Sequence, residues 1–445
     1  MRSGRTAGIP VLAGVLALFL VGAASADSGF VAPLTEIPLT NQLPAGARAA
    51  GMGFVSMAIA DDATCITTNP AALARLNRVE LSGGFRRSSF GIEGGMAGSD
   101  FATELSGTDF TSVRFAYPFP TFRGSLVFGL GAERLYDFDA DRLAAYQDEI
   151  SWQENPGEPD ETGVWSSEED YVAEGGITSL SAACAVDVSP AISLGAAVSY
   201  LTGDYNSTFM WDVYDDLDVS ERYTDVHIIE QYDSNVSGIR ATLGGLFYVS
   251  EQLSVGVAID TPTSLTFDGT EVSYIRQVTT NPDSTTAYEV RTLFTDEVTL
   301  PFSFRGGCAY SPVDFVVVGA DVSFTEWSDM EYAGRLTETE SGTDGLSRRS
   351  LYEGTFGFGI GAEVTVPSWP LRVRGGYVSR PHAFKGLEVD TDRSYLTLGA
   401  GVLIDTVLAV DIAWLHGTYE RSDEDFAYSE TVDDDALIVE ATYRF

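Results

Sequence analysis

The sequence predicts an all-β chain closed into a transmembrane antiparallel β-barrel of about fourteen strands with an N-terminal plug segment. Three observations predict it. Apolar–polar alternation of period two recurs in segments of about ten residues, the signature of strands that face lipid on one side. The connectors between these segments alternate short and long. The chain also begins with an export signal, and beyond it no apolar run approaches the roughly 18 residues that a transmembrane helix needs. The 445 residues carry 65 Asp+Glu against 26 Lys+Arg, a formal net charge of −39. Such a chain repels phosphate backbones, so nucleic-acid binding is excluded. Its 25 Phe, 20 Tyr and 44% hydrophobic residues are too many for a disordered acidic protein.

Taken from the N-terminus, Arg2 and Arg5 form a basic region, 9–21 is apolar, and Ala24-Ser25-Ala26 is a small-residue cleavage site. Residues 1–26 are read as a signal peptide, and loss of its two arginines takes the charge from −39 to −41. Cys65, Cys184 and Cys308 are scattered and lack metal spacing, so no disulfide framework is expected.

Residues 27–78 do not alternate. The stretch 44–54 is built of Gly and Ala around Arg48, small enough to pack closely inside something. Asn69 before Pro70 favours a turn, and the Ala-Ala-Leu-Ala-Arg-Leu that follows favours a short helix with Pro70 in its first position. The segment is read as a folded plug, and 79–445 as the barrel.

Strands are expected near 79–91, 110–117, 123–133, 176–188, 191–202, 238–249, 253–260, 300–310, 314–325, 354–366, 371–379, 393–404, 407–417 and 435–445. Leu396, Leu398, Val402 and Ile404 should face outward and Thr397, Gly399 and Gly401 inward; Val410, Ile412 and Trp414 outward and Asp411 inward. Arg114, Asp187, Arg240, Arg305, Asp321, Glu363, Arg372, Arg374, Asp411 and Glu440 collect on the inner face, where opposite signs can pair. Connectors at 134–175, 203–237, 261–299, 326–353 and 418–434 are expected to be long acidic external loops. Within them Phe209, Met210, Trp211 and Tyr214 form either an external apolar groove or a self-packed loop. The chain ends in Phe445, preceded at every second position by Tyr443, Ala441, Val439 and Leu437. Tyr443 and Phe445 resemble the signal read by the barrel assembly machinery.

The run from Gly46 to Gly53, then Ala60-Asp61-Asp62-Ala63, then Asn69-Pro70-Ala71-Ala72-Leu73, ahead of a barrel ending in Phe, is similar to the FadL/TodX family of outer-membrane transport proteins. The resemblance implies a barrel closed by an N-terminal hatch, with Asn69, Pro70 and Ala71 as the hatch motif. It further implies passive transport of hydrophobic compounds of the fatty-acid or hydrocarbon class, without a cofactor. In the family the third strand opens a lateral window, and Gly129 and Gly131 are inward glycines of the corresponding strand. The PorV branch, a component of type nine secretion, shows a similar N-terminal segment, so a secretion or interaction role stands as the alternative.

The expected location is the outer membrane of a Gram-negative-type bacterium, as a multi-pass monomer. The expected partners are outer-membrane lipid and lipopolysaccharide, a hydrophobic small molecule, and the barrel assembly machinery. His227, His382 and His416 have no nucleophile near them in any motif, so no enzyme is expected. The acidic clusters Glu154–Glu161, Glu168–Asp170, Asp212–Asp218, Asp423–Asp425 and Asp433–Asp435 lack the spacing of a calcium loop and are read as solvated charge rather than metal ligands.

Overall fold

The computed structural model describes residues 39, 40, 42, 43, 46–59, 62–96, 99–152, 161–217, 220, 223–280, 285–334, 352–385, 388–423 and 428–445. The export signal read at 1–26 lies outside them, as does the start of the plug segment at 27–38. Among the described residues one antiparallel sheet contains β1 (Glu80–Met96), β2 (Ser99–Phe119), β3 (Leu126–Asp137), β4 (Ala140–Trp152), β5 (Glu161–Ser189), β6 (Ile192–Tyr214), β7 (Tyr223–Tyr248), β8 (Leu253–Asp260) and β9 (Thr263–Thr279). It continues with β10 (Thr286–Leu300), β11 (Ser303–Val313), β12 (Val316–Glu326), β13 (Glu331–Ala333), β14 (Gly354–Thr365), β15 (Leu371–Arg380), β16 (Glu388–Ile404), β17 (Leu408–Asp423) and β18 (Tyr428–Arg444). Four staves are each two segments end to end: β3 with β4, β8 with β9, β10 with β11, and β12 with β13. Two of the interruptions hold Pro262 and Pro301, which cannot donate to a ladder. The ring therefore has fourteen staves, and it closes where β18 pairs with β1 from Glu80↔Arg444 to Gly95↔Ser429. Closure leaves no edge in lipid, where an unpaired N–H or C=O has no water to bond.

The expected facing holds. Leu396 and Leu398 are 54% and 51% exposed while Thr397 between them is 0% exposed. Val410, Ile412, Trp414, Leu437, Val439 and Tyr443 are likewise exposed, whereas Ala413 and Ile438 are buried. Exposed Val, Leu, Ile and Phe of this kind circle the whole barrel. In water such a belt would drive aggregation, and in a bilayer it is the lipid-facing surface. On one rim the strands are joined by tight turns, at 120–125, 190–191, 249–252, 314–315, 366–370 and 405–407. Asp405 and Thr406 both take positive φ, 51° and 59°, the geometry of the tightest hairpin turns.

The opposite rim corrects the loop expectation. Much of 134–175, 203–237, 261–299 and 418–434 is strand: β4 and the first half of β5, the outer halves of β6 and β7, β9, β10, and the outer ends of β17 and β18. Outside the lipid the outer face of a hairpin meets water, and its inner face buries polar groups such as Ser167 and Glu169 beside apolar ones such as Trp165. The period-two signal then vanishes, while Thr, Tyr and Val keep their preference for extended backbone. The wall is uneven. β5 has 29 residues and β7 has 26, against 12 in β14 and 10 in β15. With about 3.3 Å per residue, the longest strands rise far beyond an apolar band of roughly 25 Å.

Candidate functional site

The segment 46–76 lies within the ring, held by inward-facing groups from strands on opposite sides. It starts with a short helix, α1 (Ala47–Gly51), all five residues of which are buried. The Ala47 N–H donates to Glu440 Oε2 at 2.9 Å. Arg48 forms a fork with Glu363, Nε to Oε2 and Nη2 to Oε1, both 2.9 Å. Arg374 also donates to Glu363 Oε2, at 2.6 Å, and to Asp411 Oδ1 at 2.5 Å. Arg114, only 1% exposed, joins Glu440 at 2.8 Å and Glu133 at 3.3 Å. The inward charges of both signs do pair, and Arg suits such buried forks because its planar group binds a carboxylate with two parallel bonds.

Helix α1 ends in a Schellman turn: Gly53 N–H bonds Ala50 O at 3.3 Å and Phe54 N–H bonds Ala49 O at 2.8 Å. Gly53 takes φ +66°, which only glycine adopts freely, and Phe54 follows with φ +65°, an unusual conformation for a bulky side chain. Beyond the turn, Asp321 Oδ2 accepts the N–H groups of Ser56 at 2.6 Å and Met57 at 2.9 Å.

Asn69-Pro70-Ala71 is seated deep in the ring. Asn69 is 0% exposed; its side chain donates to Met57 O at 2.7 Å and Gly245 O at 3.2 Å and caps the helix 70–75 by accepting from Ala71 N–H at 3.2 Å. Pro70 takes the first helical position, as expected, in a helix of 3₁₀ type. The strands make room for this backbone with inward glycines. A Cβ at Gly195 would strike Pro70 and Ala71, one at Gly244 the Asn69 side chain, one at Gly256 the Met57 carbonyl, and one at Gly361 or Gly376 the Met52–Gly53 backbone.

Over the segment lie two cavities. The first, about 210 Å³, has an apolar wall including Phe54, Phe90, Leu105, Phe138 and Leu415, interspersed with arginines and aspartates. Arg86 pairs with Asp137, and Arg421 donates to Glu430 at 2.6 Å. The second, about 120 Å³, is more polar and is lined by Thr67, Glu133, Arg305, Asp321 and Ser323 among others. Leu43, Phe54 and Arg380 line both.

Beside the first cavity the wall is split. β2 pairs with β3 only from Ser112↔Glu133 to Phe119↔Leu126, and β4 pairs with β5 from Ala140↔Ala173 to Trp152↔Glu161. Among the described residues no ladder joins β2 beyond Ser112 to β4, although the two run close together. The register of β3 against β5 also slips at Arg134/Tyr136.

The sequence-derived site residues fare unequally. Gly129 and Gly131 sit in an unbroken ladder, opposite Ala116 and Arg114 on one side and Ala183 and Ser181 on the other. A break expected at these glycines is corrected: a Cβ on Gly129 would lie 2.6 Å from Ile66, so the glycine admits the segment 46–76, and the split begins past Glu133, in the upper part of β3. Phe209, Met210, Trp211 and Tyr214 are not in a loop. They lie on β6 in continuous register with β7, so Phe209 and Trp211 share one face while Met210 and Tyr214 share the other, and the four cannot line one groove. Tyr443 and Phe445 stand exposed at the closure seam with ring centroids 4.8 Å apart. Sequence reasoning missed Phe54 and Arg380; the signal available for Phe54 was a bulky residue directly after a helix-ending glycine.

His227 bonds Asp212 at 2.5 Å, His416 bonds Asp435 at 3.0 Å, and His382 stacks edge-on against Tyr419. Among the described residues no group of three His, Cys, Asp or Glu is arranged to hold a metal. Cys184 and Cys308 lie on strands and are free, as is Cys65.

The chain is similar in fold to the Pseudomonas putida toluene transporter TodX, with a TM-score of 0.62 and 13% identity over 90% of this chain and 98% of that one. It is similar to a Pseudomonas aeruginosa FadL homologue, TM-score 0.59 and 12% identity, covering 91% and 99%. It is also similar to the Ralstonia pickettii toluene transporter TbuX, TM-score 0.56 and 17% identity, covering 90% and 98%. At these identities the likeness is one of fold, and it bears out the FadL/TodX-type barrel that the sequence suggested. No curated protein matches the chain. The BamG family model matches residues 40–344, more than half of the chain. The protein is thus an outer-membrane β-barrel with the fold of FadL and TodX, and it belongs to the BamG family.

Proposed function

We propose that this barrel moves hydrophobic compounds of the fatty-acid or hydrocarbon class passively across the outer membrane, with the segment 27–78 acting as the hatch and Asn69, Pro70 and Ala71 as its seat. The observation that carries this reading is the apolar-walled first cavity lying directly beside the stretches of β2 and β4 that are not laddered to each other. A hydrophobic chain entering such a cavity from water gains about 0.8 kcal/mol per buried CH₂. The split opens the wall from Ser112 upward and gives a solute a sideways way out at the outer edge of the lipid-facing belt, next to Phe110, so no energy coupling is required. The lateral window then belongs between β2 and β4, beyond Gly129 and Gly131. Capture falls to inward apolar groups of the outer wall, Phe209 and Trp211 among them.

The test is a disulfide bridge between cysteines on the facing edges, at Leu105 on β2 and Ala140 on β4, in a chain lacking Cys65, Cys184 and Cys308. Uptake of a labelled fatty acid and of a labelled aromatic hydrocarbon is measured before and after reduction. Uptake restored by reduction supports lateral exit; uptake indifferent to the bridge removes it.

BamG family membership favours a second reading, an interaction role beside the barrel assembly machinery, with the PorV-like secretion role as its variant. Affinity purification from the native membrane separates the two. Recovery of an assembly or secretion complex, together with no uptake by the purified barrel in vesicles, would replace the transport reading.

A further inference from the structure

The two cavities over the N-terminal segment meet at Leu43, Phe54 and Arg380, and of these Phe54 has an unfavourable backbone conformation. Phe54 has φ +65°, a region that is unfavourable for a bulky residue and persists only where surrounding contacts impose it. The contacts are visible. The Arg380 guanidinium lies 4.5 Å over the Phe54 ring, Tyr395 stacks on it with centroids 6.3 Å apart, and Arg380 also donates to the Gln42 carbonyl. Leu43, next in the chain, is tied to the far wall by its N–H bond to Leu135 O at 2.8 Å. Phe54, Arg380 and Leu43 are the residues that both cavities share with one another.

We propose that the Phe54 ring, clamped by Arg380, is the partition between the two cavities and sets the size of solute that passes from the first into the second. The proposal rests on the transport reading for its solute, but the barrier itself does not. The turn that sets this φ is closed by the Phe54 N–H bond to Ala49 O at 2.8 Å, so swinging the ring aside leaves the backbone in place and gives up only the contacts with Arg380 and Tyr395.

Thiol labelling tests the barrier without any transported substrate. In a chain lacking Cys65, Cys184 and Cys308, a single cysteine is placed in the second cavity (Ser323→Cys) or in the first (Ser88→Cys). N-ethylmaleimide and maleimides with longer alkyl chains are added to barrels folded in detergent. In the parent, Ser323→Cys should label much more slowly than Ser88→Cys, and the gap should widen with alkyl length. Phe54→Gly should speed Ser323→Cys labelling by at least about tenfold, as removal of a barrier whose open state is populated at 10% or less must do. Ser88→Cys should not change. Arg380→Met, which keeps the bulk but removes the clamp, should act in the same direction and serves if Phe54→Gly fails to fold. Equal rates at both positions in the parent, or equal acceleration at both by either substitution, would overturn the partition. Uptake of labelled fatty acid by the same variants reads the transport reading separately: faster labelling with no uptake keeps the partition and removes the transport.

Discussion

The half of the wall inside the bilayer and the half that stands beyond it are made of the same strands but obey different rules. Along β6, Leu194, Val198 and Tyr200 face out and Ser193, Ala197 and Ser199 face in, all in strict alternation. Farther along the same strand, Phe209 and Met210 point to opposite sides and neither is fully buried or fully exposed. Lipid sorts side chains by polarity, because a charge on the lipid face is costly in the hydrocarbon, most of all near its midplane. Water imposes no such sorting. The facing of the membrane half is therefore declared by composition, whereas the outer half is held by backbone pairing together with inner-face clusters such as Trp165, Val213 and Val226.

The largest expected contrast concerns charge pairs. Glu363→Ala removes the carboxylate that holds both Arg48 and Arg374, and stranding buried cations should destabilise the barrel by about 3–5 kcal/mol. Asp212→Ala breaks the partly exposed pair with His227 in the outer half and should cost no more than about 1 kcal/mol. Urea unfolding from lipid vesicles measures both, and similar losses would dissolve the distinction between the halves.

Next comes the lipid face itself. Leu398→Arg should cost about 2–4 kcal/mol if it lies near the bilayer midplane. Leu293→Arg, at an outer-half position that is 82% exposed, should stay within about 0.5 kcal/mol. The same titration reads the pair, and a large penalty at Leu293 would place lipid higher on the wall than drawn here.

A smaller contrast is available from glycine. Gly195→Ala drives a methyl group into the Pro70–Ala71 backbone, an overpacking expected to cost about 1–3 kcal/mol. Gly107→Ala, on the outer half of β2, meets nothing nearer than 3.7 Å and should change stability by less than about 0.5 kcal/mol. Loss at Gly107 equal to that at Gly195 would mean that the glycines are there for the strands rather than for the segment.

The smallest effect is that of pH at His382, which follows the end of β15. Burial, then Arg393 and Arg421, push its imidazole down to about 2, so it is neutral where it packs on Tyr419. The unfolded chain takes up a proton below its usual value of about 6.5 and the packed loop does not. The contribution is therefore complete above that pH and falls as the pH drops toward about 2. Protection factors of the amides of 382–385, that is exchange rates corrected for the intrinsic pH dependence, should fall between pH 7.5 and pH 5, and His382→Gln should flatten the response.

Most of the membrane half was legible in the residues. Thr397 between Leu398 and Leu396, or Asp411 beside Val410, declares its facing locally, and the fourteen staves follow from repetition. The outer half was not, because β9 and β10 carry Thr, Tyr and acidic residues on both faces, and that composition reads equally as loop. The site was half legible. Asn69-Pro70-Ala71 and the inward charges could be named from the chain. That Glu363 serves Arg48, or that Arg380 covers Phe54, depends on residues more than 300 positions apart and has no local mark.

Glu440 lies on β18, directly opposite Gly84 across the closure seam, and it accepts from both Ala47 and Arg114. The earliest-made part of the described chain and its last-made strand thus meet at one carboxylate. A ring that shuts one residue out of step turns that carboxylate outward, leaving the Ala47 amide and the Arg114 guanidinium without it. Correct closure and correct seating of the segment therefore call for one and the same register of the last strand against the first.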